Sequence, residues 1–111
     1  MADLSFNEMQ AIQKELQERY KNVWEPILPE TGRNKLLWMM AEAGEVAEII
    51  KKQGDGAIMN DPEVRREFVE EMCDVMMYFN DVMGCYGISV DELREIYLKK
   101  HERNMKRWKT E

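Results

Sequence analysis

Residues 36–50 read LLWMMAEAGEVAEII. Leu, Met, Ala and Glu dominate this stretch, all strong helix formers, and no Pro interrupts it. Leu36, Met39, Met40, Ala43, Val46, Ala47 and Ile50 recur at the three-and-four spacing of a buried helical face. Glu42 and Glu45 lie three residues apart, on one side of the same helix. They fall at the margin of the apolar arc, among Trp38 and Ile49, while Glu48 turns toward solvent. The helix is predicted from about Asn34 to Gln53, with Gly54-Asp55-Gly56 ending it. Residues 70–82, EEMCDVMMYFNDV, repeat the arrangement. Phe68, Met72, Val75, Phe79, Val82 and Met83 make the apolar face there. Glu71 and Asp74 occupy its margin, and Tyr78 and Asp81 extend the polar stripe.

Outward from these two helices the chain marks its own boundaries. After a loop from Gly54 to Asn60, Asp61-Pro62 supplies an N-cap and a first-turn proline for a helix reaching about Tyr86. Ser5 with Glu8, and Ser89 with Glu92, form capping boxes stapled by Leu4/Met9 and Ile88/Leu93. The first helix is predicted to about Asn22 and the last to about Lys109. The stretch from Trp24 to Gly32, holding Pro26 and Pro29, cannot be a continuous helix. The expectation is one all-α domain over residues 1–111, a four-helix bundle.

Composition agrees. In 111 residues, 44% are hydrophobic and 34% charged, which excludes a disordered tail, and 6 Gly with 3 Pro supply few of the turns an all-β domain needs. A formal net charge of −6 argues against coating a nucleic-acid polymer. No apolar run approaches a membrane span, and MADLSFNEMQ has neither the basic start nor the apolar run of a signal peptide. The two cysteines, Cys73 and Cys85, make no disulfide framework; Cys73 is assigned to packing, and Cys85 has no companion at metal-ligand spacing. These features predict a reduced, cytoplasmic protein.

Two acid pairs on consecutive core helices, E-x-x-E then E-x-x-D, converge if the helices pack face to face. A lone E-x-x-E is most often a solvated flank; two pairs beside buried stripes are a different matter. Four converging carboxylates repel and lose hydration, a cost that a hard divalent cation such as Mg²⁺ or Mn²⁺ relieves. Open coordination positions then suit phosphate oxygens and water, the chemistry of metal-assisted phosphoryl hydrolysis. In the last helix, Leu93, Ile96 and Tyr97 define a buried face that helical spacing continues through Lys100, Asn104 and Arg107. That stripe suits a phosphate clamp, or simply a basic helix terminus favoured by the macrodipole. Trp24 and Trp38 are candidates to stack a nucleobase or to pack. A di-iron bundle requires E-x-x-H pairs, and His101 has Leu98 three residues before it. The remaining alternative is a non-catalytic helical interaction module lined by the ten methionines.

Glu42-Ala-Gly-Glu45, followed after 25 residues by Glu71-Met-Cys-Asp74 and then by KKHERNMKR at 99–107, resembles the MazG-like branch of the all-α nucleoside triphosphate pyrophosphohydrolases. The similarity covers about residues 34–108 in order and spacing. It implies a four-helix core completed as a homodimer or homotetramer, and hydrolysis of nucleoside triphosphates to monophosphate and pyrophosphate. By the same resemblance, Glu42, Glu45, Glu71 and Asp74 are the catalytic Mg²⁺ ligands. Lys100, Asn104 and Arg107 contact the triphosphate, and Tyr78 is a substrate-contacting aromatic. Ala41 stands where many relatives carry a further acid, which alters the charge balance at the metal.

Overall fold

Each helix begins where a side chain can replace the missing backbone acceptor. In the computed structural model, which describes residues 2–110, Ser5 starts α1 (Phe6–Arg19) by accepting from the Glu8 amide at 3.1 Å. After a 3₁₀ turn at Pro29–Thr31, α2 spans Gly32–Asn60. Asp61 accepts from the Glu63 amide at 3.0 Å and opens α3 (Pro62–Cys85). Ser89 does the same for α4 (Val90–Arg107) through the Glu92 amide at 3.1 Å. Gly87, at φ 65°, closes α3: its amide bonds the Gly84 carbonyl and the Ile88 amide bonds that of Met83. This paired ending needs a left-handed residue, which glycine adopts without a Cβ penalty. The described residues contain no strand, and no helix among them is long and apolar enough to cross a membrane.

The expected loop at 54–60 is mostly helix. Gly54 leaves the helical region, at φ 82° and ψ 160°, but the chain resumes helical geometry at once and continues to Asn60. Ile58, only 7% exposed, anchors that extra turn and a half, and the Asn60 amide ties back to the Gly56 carbonyl at 2.9 Å. The backbone at Gly54 lies in a region essentially closed to residues with a side chain. Gly54→Ala is therefore expected to cost about 1–3 kcal/mol, read as a lower urea midpoint at unchanged slope. An unchanged midpoint would show that the kink relaxes freely.

Two antiparallel helices, α2 and α3, form the main packing unit, and α1 lies across the C-terminal half of α3. Phe6 meets Phe79 with ring centroids 6.2 Å apart. The buried line of α2 is Gly32, Lys35, Met39, Glu42, Val46 and Ile49, a regular three-and-four alternation. It is rotated from the predicted face: Leu36, Met40, Ala43, Ala47 and Ile50 are exposed, and Ile49 is buried. The reason is plain in the sequence. Five consecutive apolar residues, Leu36 to Met40, surround the helix, so apolar periodicity underdetermines which side α3 covers. On α3, Met72 is likewise exposed, whereas Glu71 and Asp74 sit half-buried in the seam.

The last helix departs furthest from expectation. No other element makes more than marginal contact with α4. Leu93 is half-buried, but Ile96 and Tyr97 are 57% and 70% exposed. A single chain thus builds three packed helices and a projecting fourth, rather than a closed four-helix bundle. The radius of gyration, 17.0 Å, exceeds the roughly 13 Å of a compact chain this long. Cys73, expected to pack, is exposed, and Cys85 is buried.

Candidate metal centre

The seam between α2 and α3 carries acid where a plain helical pair would carry only aliphatics. Glu42 lies between Met39 and Val46 on the buried line of α2, and Glu71 and Asp74 face it from α3. One carboxylate oxygen from each of Glu42, Glu71 and Asp74 lies within 4.8 Å of the others, all three side chains being half-buried. Glu45, one turn beyond Glu42, is exposed and outside this set. Its charge nevertheless reaches Glu71. Three of the four predicted ligands are thus together, with the fourth at the rim.

The cluster is electrostatically strained. The Glu71 carboxyl is held above its ordinary value, first by burial, then by a hydrogen bond with Glu42 and by the charges of Glu42, Asp74 and Glu45. Its Oε2 is sealed from solvent and has no hydrogen-bond partner in the protein. A buried carboxylate oxygen left this way costs free energy that a cation would recover. Three hard oxygen donors with one more at the edge, and no nitrogen or sulfur among them, are the donor chemistry of Mg²⁺ or Mn²⁺.

Beside the cluster, a cavity of about 310 Å³ opens between α1, α2 and α3. Asp74 and Tyr78 belong to its lining and join it to the acids. Trp24 and Trp38, both singled out in the sequence, also line it. Trp24 is stacked on Tyr20, centroids 4.7 Å apart and planes 24° from parallel. The Tyr78 hydroxyl is kept protonated to higher pH than usual by burial and then by the charges of Glu42, Asp81 and Asp74. The predicted phosphate contacts Lys100, Asn104 and Arg107 are exposed on α4, and within one chain α4 does not pack against α2 or α3. Arg107 lies over the Trp108 ring, 4.9 Å from its centroid.

Several polar residues of the cavity were not singled out as site residues in the sequence. Lys35 and Gln13 are each 8% exposed, and Asp81 is 4% exposed. The Gln17 amide donates to Asp81 Oδ2 at 3.2 Å, while Asp81 Oδ1 has no partner. Spacing held a signal for two of them. Lys35 precedes Glu42 by two helical turns, and Asp81 follows Asp74 by two, so both continue the acid seam. No family profile, curated protein or solved structure matches the chain, so the resemblance rests on the motif residues themselves.

Proposed function

We propose that the chain is a Mg²⁺-dependent hydrolase of nucleoside triphosphates, of the MazG-like kind, which releases pyrophosphate and leaves the monophosphate. The observation that carries this reading is the convergence of Glu42, Glu71 and Asp74 from two helices, with a sealed Glu71 oxygen awaiting a partner. These three carboxylates, joined by Glu45 from the rim, would hold the cation. When bound, Mg²⁺ (or Mn²⁺) supplies charge neutralisation for the polyphosphate and lowers the pKa of water. The acids themselves orient the attacking water toward the α-phosphorus. The new bond joins that water oxygen to phosphorus, the bond to the bridging α,β-oxygen breaks, and Glu42 or Glu45 accepts the proton. Tyr78 and Trp24 hold the nucleoside in the adjoining cavity.

The cationic stripe Lys100, Asn104 and Arg107 enters this scheme through association of copies. Exposed Leu36, Leu37, Met40, Met72 and Met76 leave an apolar surface that a homodimer or homotetramer would cover. In such an assembly α4 would bring its cations to the triphosphate. The substrate is a small molecule rather than a nucleic-acid polymer or a membrane, and the setting is the reducing cytoplasm. The same exposed methionines favour a second reading, a non-catalytic interaction module.

One measurement separates the two. With Mg²⁺ and a panel of nucleoside triphosphates, the hydrolase releases pyrophosphate in step with monophosphate and shows a higher melting temperature with both ligands present. Release of single phosphate, or a melting temperature indifferent to Mg²⁺ and nucleotide alike, excludes the proposed reaction.

A further inference from the structure

We infer that Lys35 is a substrate-binding residue whose ammonium holds the base end of the nucleotide, donating to an acceptor atom of whichever base is bound. The inference rests on the nucleotide reading above and extends it to a residue outside the acid cluster. Lys35 lies on the buried line of α2, 8% exposed, and lines the cavity. Its ammonium makes no hydrogen bond or ion pair among the described residues. Yet it is not sealed: the unpartnered side-chain atoms shut off from solvent are Glu71 Oε2, Asn80 Oδ1 and Asp81 Oδ1. The Lys35 nitrogen is therefore open, and the space it opens on is the cavity. A cation so enclosed, with three N–H donors unspent, gains most from an acceptor seated there.

Charge and reach identify that acceptor. Glu25 and Asp81 line the cavity beside Asp74, and the Lys35 charge reaches Asp81. Carboxylates outnumber the one cation, which disfavours a phosphate at this end and leaves a neutral group as the partner. The nearby amides are occupied, since Gln17 and Gln13 both hydrogen-bond Asp81. Lys35 precedes Glu42 by seven residues, about 10 Å along the helix, and side chains lean toward a helix's N-terminus. With the phosphates on the acids, sugar and base extend along the cavity toward Lys35. Trp24, Trp38 and Tyr78 wall the ring there. Every base carries a carbonyl oxygen or ring nitrogen on its edge, and an ammonium turns to meet either. The contact thus secures a base without choosing among them.

The test uses the full chain, Lys35→Met, Asp81→Asn and the double variant, with thermal melting to show that each is folded. Calorimetric binding is measured without metal for dCMP, dUMP, dAMP and dGMP, and for 2-deoxyribose 5-phosphate, which has no base. Lys35→Met is expected to weaken the tightest-bound nucleotide about tenfold to a hundredfold, the range of a hydrogen bond to a charged group. Affinity for 2-deoxyribose 5-phosphate should match the parent. With Mg²⁺ and the corresponding triphosphates, KM should rise by a similar factor and kcat change far less, because the contact is remote from the reacting atoms. The double variant separates binding from support of the fold, and it stands in if Lys35→Met alone does not fold. A lysine that only balances Asp81 has no further effect once Asp81→Asn has removed that charge. The same fall in nucleotide affinity on adding Lys35→Met to Asp81→Asn supports the inference. No fall there, or an equal fall for 2-deoxyribose 5-phosphate, overturns it. Lys35-dependent nucleotide binding without any pyrophosphate release removes the hydrolase and keeps the contact. Pyrophosphate release with KM unchanged in Lys35→Met keeps the hydrolase and removes the contact. Absence of nucleotide binding by the parent, with and without Mg²⁺, removes both.

Discussion

Glu71→Gln is expected to melt at a higher temperature than the parent chain in cation-free buffer, and to lose both its response to Mg²⁺ and its pyrophosphate release. The opposing signs come from one geometry. Glu71 is crowded by Glu42, Asp74 and the field of Glu45, with an oxygen that neither water nor protein satisfies. A neutral amide of the same shape removes the repulsion and can still hydrogen-bond Glu42, so the empty seam relaxes. The same change deletes one of the three converging carboxylates proposed to hold the cation. Loss of groups that merely support a metal ligand typically costs 10–100-fold, so loss of the ligand should exceed about 100-fold in kcat/KM. Far-UV circular dichroism should match the parent, because Glu71 makes no cap or backbone contact. A variant that turns over at the parental rate would falsify the assignment of Glu71. A variant that melts lower without Mg²⁺ would instead show the acids to be structurally favourable as they stand.

The acid seam was legible because its signal is local. Glu42 and Glu45, then Glu71 and Asp74, recur at helical spacing beside apolar residues, and the Asp61-Pro62 boundary makes the two helices antiparallel neighbours. The caps at Ser5, Asp61 and Ser89 were legible for the same reason, since a cap is settled within four residues. Rotation of α2 about its axis was not. Leu36 to Met40 are all apolar, so only contact with α3 decides that Lys35, Met39 and Glu42 turn inward and Met40 outward. The segment after Gly54 shows the same limit. Gly54-Asp55-Gly56 signals a stop, yet burial of Ile58 carries the chain back into helix. The clamp on α4 failed to reach the acids for a longer-range reason. Its apolar residues, Ile96 and Tyr97, promise a covered face, but nothing local says whether this chain or another copy covers it. Asp81 stood on the predicted stripe without being assigned a role, because its distinguishing property is an unpartnered oxygen, created only when α1 lays Gln13 and Gln17 against α3.

That oxygen leads to the second large effect: Asp81→Asn is expected to stabilise the chain at neutral pH, and to do so less and less as the solution is acidified. Burial raises the Asp81 carboxyl above its ordinary value of 3.8, outweighing the Gln13 and Gln17 hydrogen bonds and the attraction of Lys35, which pull it down. The folded state therefore binds the Asp81 proton more tightly than the unfolded state. Linkage then requires that stability fall as pH rises from about 3.8 through the folded-state value, and stay reduced above it. Asparagine carries no such proton. Below that window the acid is protonated in both states and closely resembles the amide, so the two proteins should melt together. Above it, relief of a buried charge that its hydrogen bonds do not fully compensate is of the order of 1–3 kcal/mol, or several degrees in melting temperature for a domain of this size. Melting both proteins between pH 3 and 8 measures the gap. A gap that is constant with pH, or one that favours the parent at neutral pH, would mean that Lys35 and the glutamines already compensate the charge. A gap that opens with pH would mark Asp81 as a group held at the expense of stability, the usual signature of a residue kept for binding rather than for folding.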